Sequence, residues 1–360
     1  MRSTWVLAAV LALVALLLWW LFRDADFAEV WRHLRAADAP LLLASAGVAL
    51  IAFGARAARW RYFLAPVQPA SPFGSRFAAV AVGFMANNLL PSGRAGEPGR
   101  AYAYSRMEPV SFTAALATLV VERLLDGLAI FALLIVAIVS PGFPAESLPD
   151  ELVTGIRGTA IFLGAALAGS LLVVAFPARS LRVATRLVAL LPPGRIATGL
   201  MKVMEGVVKG LASMRGWRLM LPALTWTFGV WLLQSVSFWL GFMAFDIRLP
   251  FAAALLTNAA VAFAAAAPNT PGYVGTLQVA VSVALVQVYG VAPEPVLACA
   301  VGWHAVNFPP ITVLGLWYTR RLGISLKDFR GGRAKAEMPG EPAAGPNERG
   351  AESSEQVTRP

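Results

Sequence analysis

NNLLPSGRAGEPGR, Asn87 to Arg100, interrupts an apolar chain with two prolines, three glycines and three charged residues. FAAVAVGFMA comes just before it, and an apolar helix that also carries charge follows soon after. A stretch so rich in helix breakers and charge is either a loop outside a bilayer or the turn of a broken helix dipping into one. The rest of the chain decides between the two.

Composition sets the environment. At 58% hydrophobic and 14% charged, the chain is unlike an ordinary soluble domain. Apolar runs of membrane-spanning length recur, among them WVLAAVLALVALLLWWLF, AIFLGAALAGSLLVVAF and LPALTWTFGVWLLQSVSFWLGFMAF. The first run ends in Trp19, Trp20 and Phe22 rather than a small-residue cleavage site, so it reads as a retained helix and not a signal peptide. The single cysteine, Cys299, lies inside an apolar run and offers neither a disulfide nor a metal site. The net charge of +10 comes from residues flanking apolar spans, which points to topology and anionic lipid rather than nucleic acid.

Lys and Arg placement predicts the orientation. Between Phe176 and Leu219 lie eight Lys or Arg against one acid, Glu205, so segment 178–218 is expected to be a cytoplasmic amphipathic stretch. Arg320 and Arg321 place the C-terminal end inside as well, whereas Ser140 to Gly155 has no Lys or Arg and is expected outside. Arg56, Arg59, Arg61 and Arg76 assign the segment they span to the inside. The chain is then inside at Arg76 and inside again by Met107, and two full crossings between them would need about 40 apolar residues. These are missing, so the opening stretch is predicted to be the turn of a re-entrant hairpin. The same reasoning makes the stretch from Pro250 to Val288 a second hairpin, entering from outside.

At a spacing of about 179 residues the two hairpins pair Phe84 with Phe263, Gly93 with Gly272 and Gly96 with Gly275. Hairpins entering from opposite faces are the arrangement of inverted-repeat transporters, whose sites form where broken helices meet. The expected fold is therefore an all-α polytopic membrane protein with about six full transmembrane helices, two re-entrant broken-helix hairpins and a probable inverted repeat. The expected domain spans residues 1–323, with a disordered cytoplasmic tail at 324–360 rich in Pro, Gly, Glu and Ala. Both termini are expected in the cytoplasm and the protein in the cell inner membrane.

In LVVERLLDGLAIF, Glu122, Arg123 and Asp126 sit within an apolar helix, with Glu122 roughly 18 Å from its inner end at about 1.5 Å per residue. Glu122 and Asp126 share a helix face, while Arg123 is turned by about 100°. Unpaired charge at that depth is costly. Two readings stay open: a structural network with Arg94, Glu97 and Arg100, or a polar cavity that meets an ionic substrate. The returning helix begins near Gly96 with its positive dipole end toward the interior, and Arg94 and Arg100 add phosphate-matching donors, although Glu97 competes there. Asn269, Tyr273, Gln278 and Asn307 either line the path or cap helix ends. Glu122 and Asp126 lack the further carboxylates a Mg²⁺ site would use, His304 reads as a core residue, and no nucleophile elbow is present. No enzyme activity, metal or cofactor is expected.

NNLLPSGRAGEPGRAYAYSRMEPVSFTAALATLVVERLLDGLAI resembles the signature of the lysylphosphatidylglycerol synthase transmembrane family, also called flippase-like or UPF0104 proteins. That pattern runs N-x-x-P-x-R-x-G-E, then a Ser-rich turn, then V-x-E-R-x-x-D. PNTPGYVGTLQVAV followed by LGISLKD is similar to its second block. The matching positions are Asn88, Pro91, Arg94, Gly96, Glu97, Arg100, Glu122, Arg123, Asp126, Pro268, Pro271, Gly272 and Gly275, with Ser92-Gly93 altering the length of the first turn. The resemblance implies a membrane domain that flips aminoacylated or glycosylated lipids beside a glycosyltransferase or lipid-modifying partner. Lysyl-transferring members carry a large soluble catalytic domain after the membrane part, where this sequence has only the tail expected to be disordered, so synthase activity is not expected. Membrane lipids, anionic or polyprenyl-phosphate-linked, are the expected ligands. Asn88, Arg94, Glu97, Arg100, Glu122, Arg123, Asp126, Asn269, Tyr273 and Gln278 are the expected substrate-binding residues. Pro91, Gly93, Gly96, Pro268, Pro271, Gly272 and Gly275 are the expected helix breaks. The alternative is a non-transporting membrane partner or scaffold.

Overall fold

Helix α1, Phe27–Ala36, starts at Asp26, whose carboxylate accepts the Ala28 N–H at 2.8 Å, and it packs on the last helix of the chain. Asp38 caps α2, Ala39–Leu64, by accepting the Leu41 N–H at 3.0 Å. At about 1.5 Å per residue its 26 residues outspan a bilayer core of about 30 Å. The computed structural model describes residues 25–90, 95–145, 217–266 and 270–324, with isolated positions elsewhere. Among these, every regular element is helical. Apart from those isolated positions, the runs from Trp5 to Phe22 and from Ala160 to Phe176, segment 178–218 up to Gly216 and the tail beyond Ile324 lie outside the described residues.

After α2 come α3, Phe73–Leu89, and α4, Gly96–Met107, separated by the opening stretch. The two run antiparallel in contact. Asn87 lies on Gly96, a Cβ at Gly83 would sit 2.8 Å from the Gly96 carbonyl and 3.0 Å from the Arg100 Cβ, and Ser75 donates to Glu108 at 2.6 Å. Each partner pair advances by the same number of residues in opposite directions, which is a helical hairpin. Gly83 permits this approach because any side chain there would strike backbone. At the hairpin base, Gln68 donates to Glu108 at 2.7 Å and accepts from Tyr104.

The 28-residue α5, Phe112–Val139, carries the buried charges. Helix α6, Trp217–Ala244, packs antiparallel along α2: Ser45 donates to the Ser237 carbonyl at 2.8 Å, and Ser237 returns the bond at 3.0 Å. Then come α7, Phe251–Ala266, a 3₁₀ turn at Pro271–Tyr273, and α8, Thr276–Ser282, which runs into a π-helical segment, Val283–Val288. The last helix is α9, Pro293–Arg321. Gly315 of α9 lies against the Ala81 backbone and Met85 of α3, so those helices also meet closely.

Four segments among the described residues are long and apolar enough to cross a membrane: Ala39–Leu64, Arg218–Ala244, Pro271–Val288 and Pro293–Arg321. Helix α5 is as long as these but holds Glu122, Arg123 and Asp126. The chain is a multi-pass membrane protein. Pro271–Val288, expected from sequence as a returning limb, is itself among the four. One correction concerns orientation. Arg56 and Arg59 are not loop residues: α2 continues to Leu64, and both side chains are buried within it. Arg76 is buried too, donating to the Ala58 carbonyl at 3.1 Å. All three side chains are buried in the protein rather than placed in a loop, so they carry no topology signal.

Candidate functional site

The first hairpin meets the second break. A Cβ at Gly272, whose φ is +66°, would lie 3.3 Å from the Asn88 carbonyl, so the end of α3 touches the second break directly. Tyr273 beside it adopts φ +60°, the left-handed region that a bulky residue seldom enters. Next to this junction lies a cavity of about 690 Å³ walled by both hairpins together with α2, α5, α6 and α9.

One wall is charged. Glu122 is fully buried and forms ion pairs with three arginines, Arg59 at 2.6 Å, Arg100 at 2.8 Å and Arg123 at 3.3 Å, accepting hydrogen bonds from Arg100 and Arg123. Asp126 accepts from Arg59 at 2.5 Å and the Trp231 indole at 2.9 Å, and forms an ion pair with Arg123 at 3.3 Å. Arg123 also approaches Glu97 at 3.8 Å; both are partly exposed. Burying a charge is costly unless it is paired, and these acids are paired by sharing cations between them. Arg100 additionally lies 3.9 Å from the centre of the Trp60 ring.

The other wall is neutral, built from amides and aromatic rings. Asn258 donates to the Trp231 carbonyl and the Ser235 hydroxyl, both at 2.9 Å. Asn307 donates to the Trp303 carbonyl at 2.8 Å and accepts from Ser237 at 3.2 Å. Trp303 stacks on Phe238 with ring centres 4.1 Å apart. Gln234 faces the same space.

The expected residues distribute unevenly. Asn88, Glu97, Arg100, Arg123, Asp126 and Tyr273 line the cavity. Glu122 does not: the arginines enclose it, so a place on a wet wall is not what its surroundings provide. Gln278 is turned away as well, accepting the Gly275 N–H at 2.8 Å and meeting His304 at 3.2 Å. Pro91, Gly93, Arg94, Pro268 and Asn269 lie outside the described residues. Gly96 begins α4, Pro271 opens the 3₁₀ turn, and Gly272 and Gly275 both take positive φ. The first turn of α4 is less open to an anion than its dipole implied, because Asn87 takes the Gly96 N–H at 2.7 Å and Pro98 has none to give.

Arg56, Arg59, Asn87 and Trp231 belong to the site and were not singled out as such from sequence. The available signal was ARAAR in α2, which places two arginines three apart among alanines, inside an apolar run where buried acids of another helix can pair with them.

The model of the lysylphosphatidylglycerol synthase TM region matches residues 5–315. The chain belongs to that family. The chain is also similar to a protein of Haloferax volcanii named glycosyltransferase AglD, 27% identical over 355 residues. That match covers 90% of this chain and 55% of the relative, so the chain spans about half of its length. A UPF0104 membrane protein of Methanocaldococcus jannaschii is 39% identical over 70 residues, covering 19% of this chain and 21% of that protein.

Proposed function

We propose that this chain moves an anionic lipid, whether a phospholipid, an aminoacylated lipid or a lipid-linked sugar, between the leaflets of the inner membrane. The observation that carries the reading is the cavity between the two broken segments, with paired but partly exposed charge on one wall and amides and aromatic rings on the other. A headgroup needs such a polar recess within an apolar slab, and non-helical backbone at that depth is tolerated where it lines one.

The membrane arrangement in this proposal is six full crossings, two hairpins entering from opposite faces, and both termini in the cytoplasm. An inverted repeat is supported by the helix pattern. A shift of about 179 residues carries Ala39–Leu64 to about 218–243, beside Trp217–Ala244, and Phe73–Leu89 to about 252–268, beside Phe251–Ala266. The same shift carries Gly96–Met107 to about 275–286, beside α8 and its π-helical extension, and Phe112–Val139 to about 291–318, beside Pro293–Arg321. Contacts exchange in step: α3 packs on α9 as α7 packs on α5, and α2 packs on α3 as α6 packs on α7. The central pair, α2 and α6, is antiparallel, which fits a two-fold axis in the membrane plane rather than along its normal.

The test is reconstitution into vesicles carrying a fluorescent phosphatidylglycerol in both leaflets. Protein-dependent access of an impermeant quencher to inner-leaflet label supports transport, and rates equal to those of protein-free vesicles refute it. A second reading, a membrane partner or scaffold for a glycosyltransferase, is favoured by the name of the Haloferax relative, about half of which lies outside the match. It is preferred if lipid movement is absent while a glycosyltransferase co-purifies.

A further inference from the structure

The charged cluster balances without Arg56. Arg59, Arg100 and Arg123 stand against Glu97, Glu122 and Asp126, three cations to three acids, among the described residues. Arg56 is the fourth cation. It is 5% exposed, lines the cavity, and makes no ion pair or hydrogen bond with a described residue. Its Nε is buried without an acceptor. The guanidinium is held over two rings instead, 5.5 Å from the centre of Phe84 and 5.3 Å from that of Trp231, and Trp231 is itself fixed through its indole N–H to Asp126. Aromatic faces attract a cation but do not take up the five N–H bonds that a guanidinium presents in a planar fork. Asp126, Arg59, Arg123 and Glu122 are its charged neighbours, and the two acids are already engaged by other arginines.

A buried cation with spare donors beside a cavity is a half-built anion site, since burial of the unpaired charge is unfavourable until an oxyanion arrives. We propose that Arg56 is the anion-binding residue of this cavity and grips a phosphate oxyanion of the ligand through paired N–H bonds. The inference rests on the cavity being a ligand site, as in the transport reading, and adds the residue and the chemical class it selects. The oxyanion belongs either to a phospholipid headgroup or to a free phosphate.

The experiment uses the full chain in neutral detergent, as wild type, Arg56→Met and Arg56→Lys. Each is titrated with dihexanoyl phosphatidylglycerol, dihexanoyl glycerol and inorganic phosphate, and each is melted without ligand. The wild type should favour the phospholipid over the neutral glyceride at least about tenfold, with Arg56→Met weakening that binding about ten- to hundredfold and Arg56→Lys retaining part of it. Ligand-free Arg56→Met should melt at or above the wild-type temperature, because it removes an unpaired buried charge without orphaning a partner. Phosphate binding as strong as that of the phospholipid assigns the site to a free anion, and phospholipid binding alone assigns it to a headgroup; both support the site. Equal phospholipid binding by wild type and Arg56→Met overturns it, as does wild-type binding that ignores the phosphate. Should Arg56→Met fail to fold, the wild-type preference for phospholipid over glyceride still decides. Arg56-dependent binding in a protein that moves no lipid would end the transport reading alone, and lipid movement unaffected by Arg56→Met would end this one alone.

Discussion

Replacing Glu122 by Gln keeps the shape of the side chain and deletes one charge from the centre of the arginine cluster. Arg100 feels this most, since its two hydrogen bonds, at 2.8 and 3.1 Å, both go to Glu122. Arg59 and Arg123 keep Asp126. One arginine is thus left buried, 4% exposed, with no carboxylate, and breaking a buried pair in this way costs about 3–5 kcal/mol. At roughly 2–4 °C per kcal/mol for a large domain, the melting temperature in detergent should fall by about 6–20 °C. Asp126→Asn should be milder, about 1–3 kcal/mol, because both its arginines retain Glu122 and the amide oxygen can still accept from Trp231. Adding Arg100→Met to Glu122→Gln should recover at least half of the loss, as removing both partners leaves no orphaned charge. Thermal melts of the purified variants check the order. A Glu122→Gln protein as stable as wild type, or less damaged than Asp126→Asn, would refute the claim that Glu122 is the structural hub.

Gly83→Ala should destabilise the first hairpin by about 1–3 kcal/mol, measured by thermal melt, because the new methyl meets the Gly96 carbonyl at 2.8 Å. Asn87→Ala should cost about 1 kcal/mol by removing the acceptor of the Gly96 N–H, while Asn87→Asp should melt close to wild type. In a background with Cys299 replaced by Ala, a cysteine introduced at Asn87 should label poorly with impermeant reagents from either side and one at Glu146 should label from outside. Strong external labelling near Gly93 would contradict the hairpin topology.

Much of the helical pattern was readable from local signals. One helix ends at Leu89 and the next begins at Gly96, where the sequence crowds Pro and Gly that disfavour continued helix, and Ser111 and Asp38 begin helices by capping them. The charge triplet in α5 pointed to a buried cluster with Arg100, a partner only 22 residues away. Arg59 escaped because its acid, Asp126, lies 67 residues away, and because an arginine near an apolar helix end looks like a topology marker. Gly83 and Gly315 were silent for a similar reason: a glycine in an apolar run gains meaning only when another backbone lies against it, and that is a tertiary fact. Glu122, on the helix face it shares with Asp126, was expected among the substrate-binding residues, with a structural network left open as the alternative. Arg123 is long enough to curl back over that face, and with Arg59 and Arg100 it closes the acid off.

The central claim is that a lipid headgroup passes through the cavity between the two breaks. Gly127 lines that cavity, carries none of the charge network, and has open space where a Cβ would stand. Gly127→Trp should therefore fill the passage in a protein that still folds with wild-type stability. In vesicles with fluorescent phosphatidylglycerol, wild type should expose inner-leaflet label to the quencher and Gly127→Trp should leave it protected, as in protein-free vesicles. Equal rates for wild type and a folded Gly127→Trp protein would contradict the account.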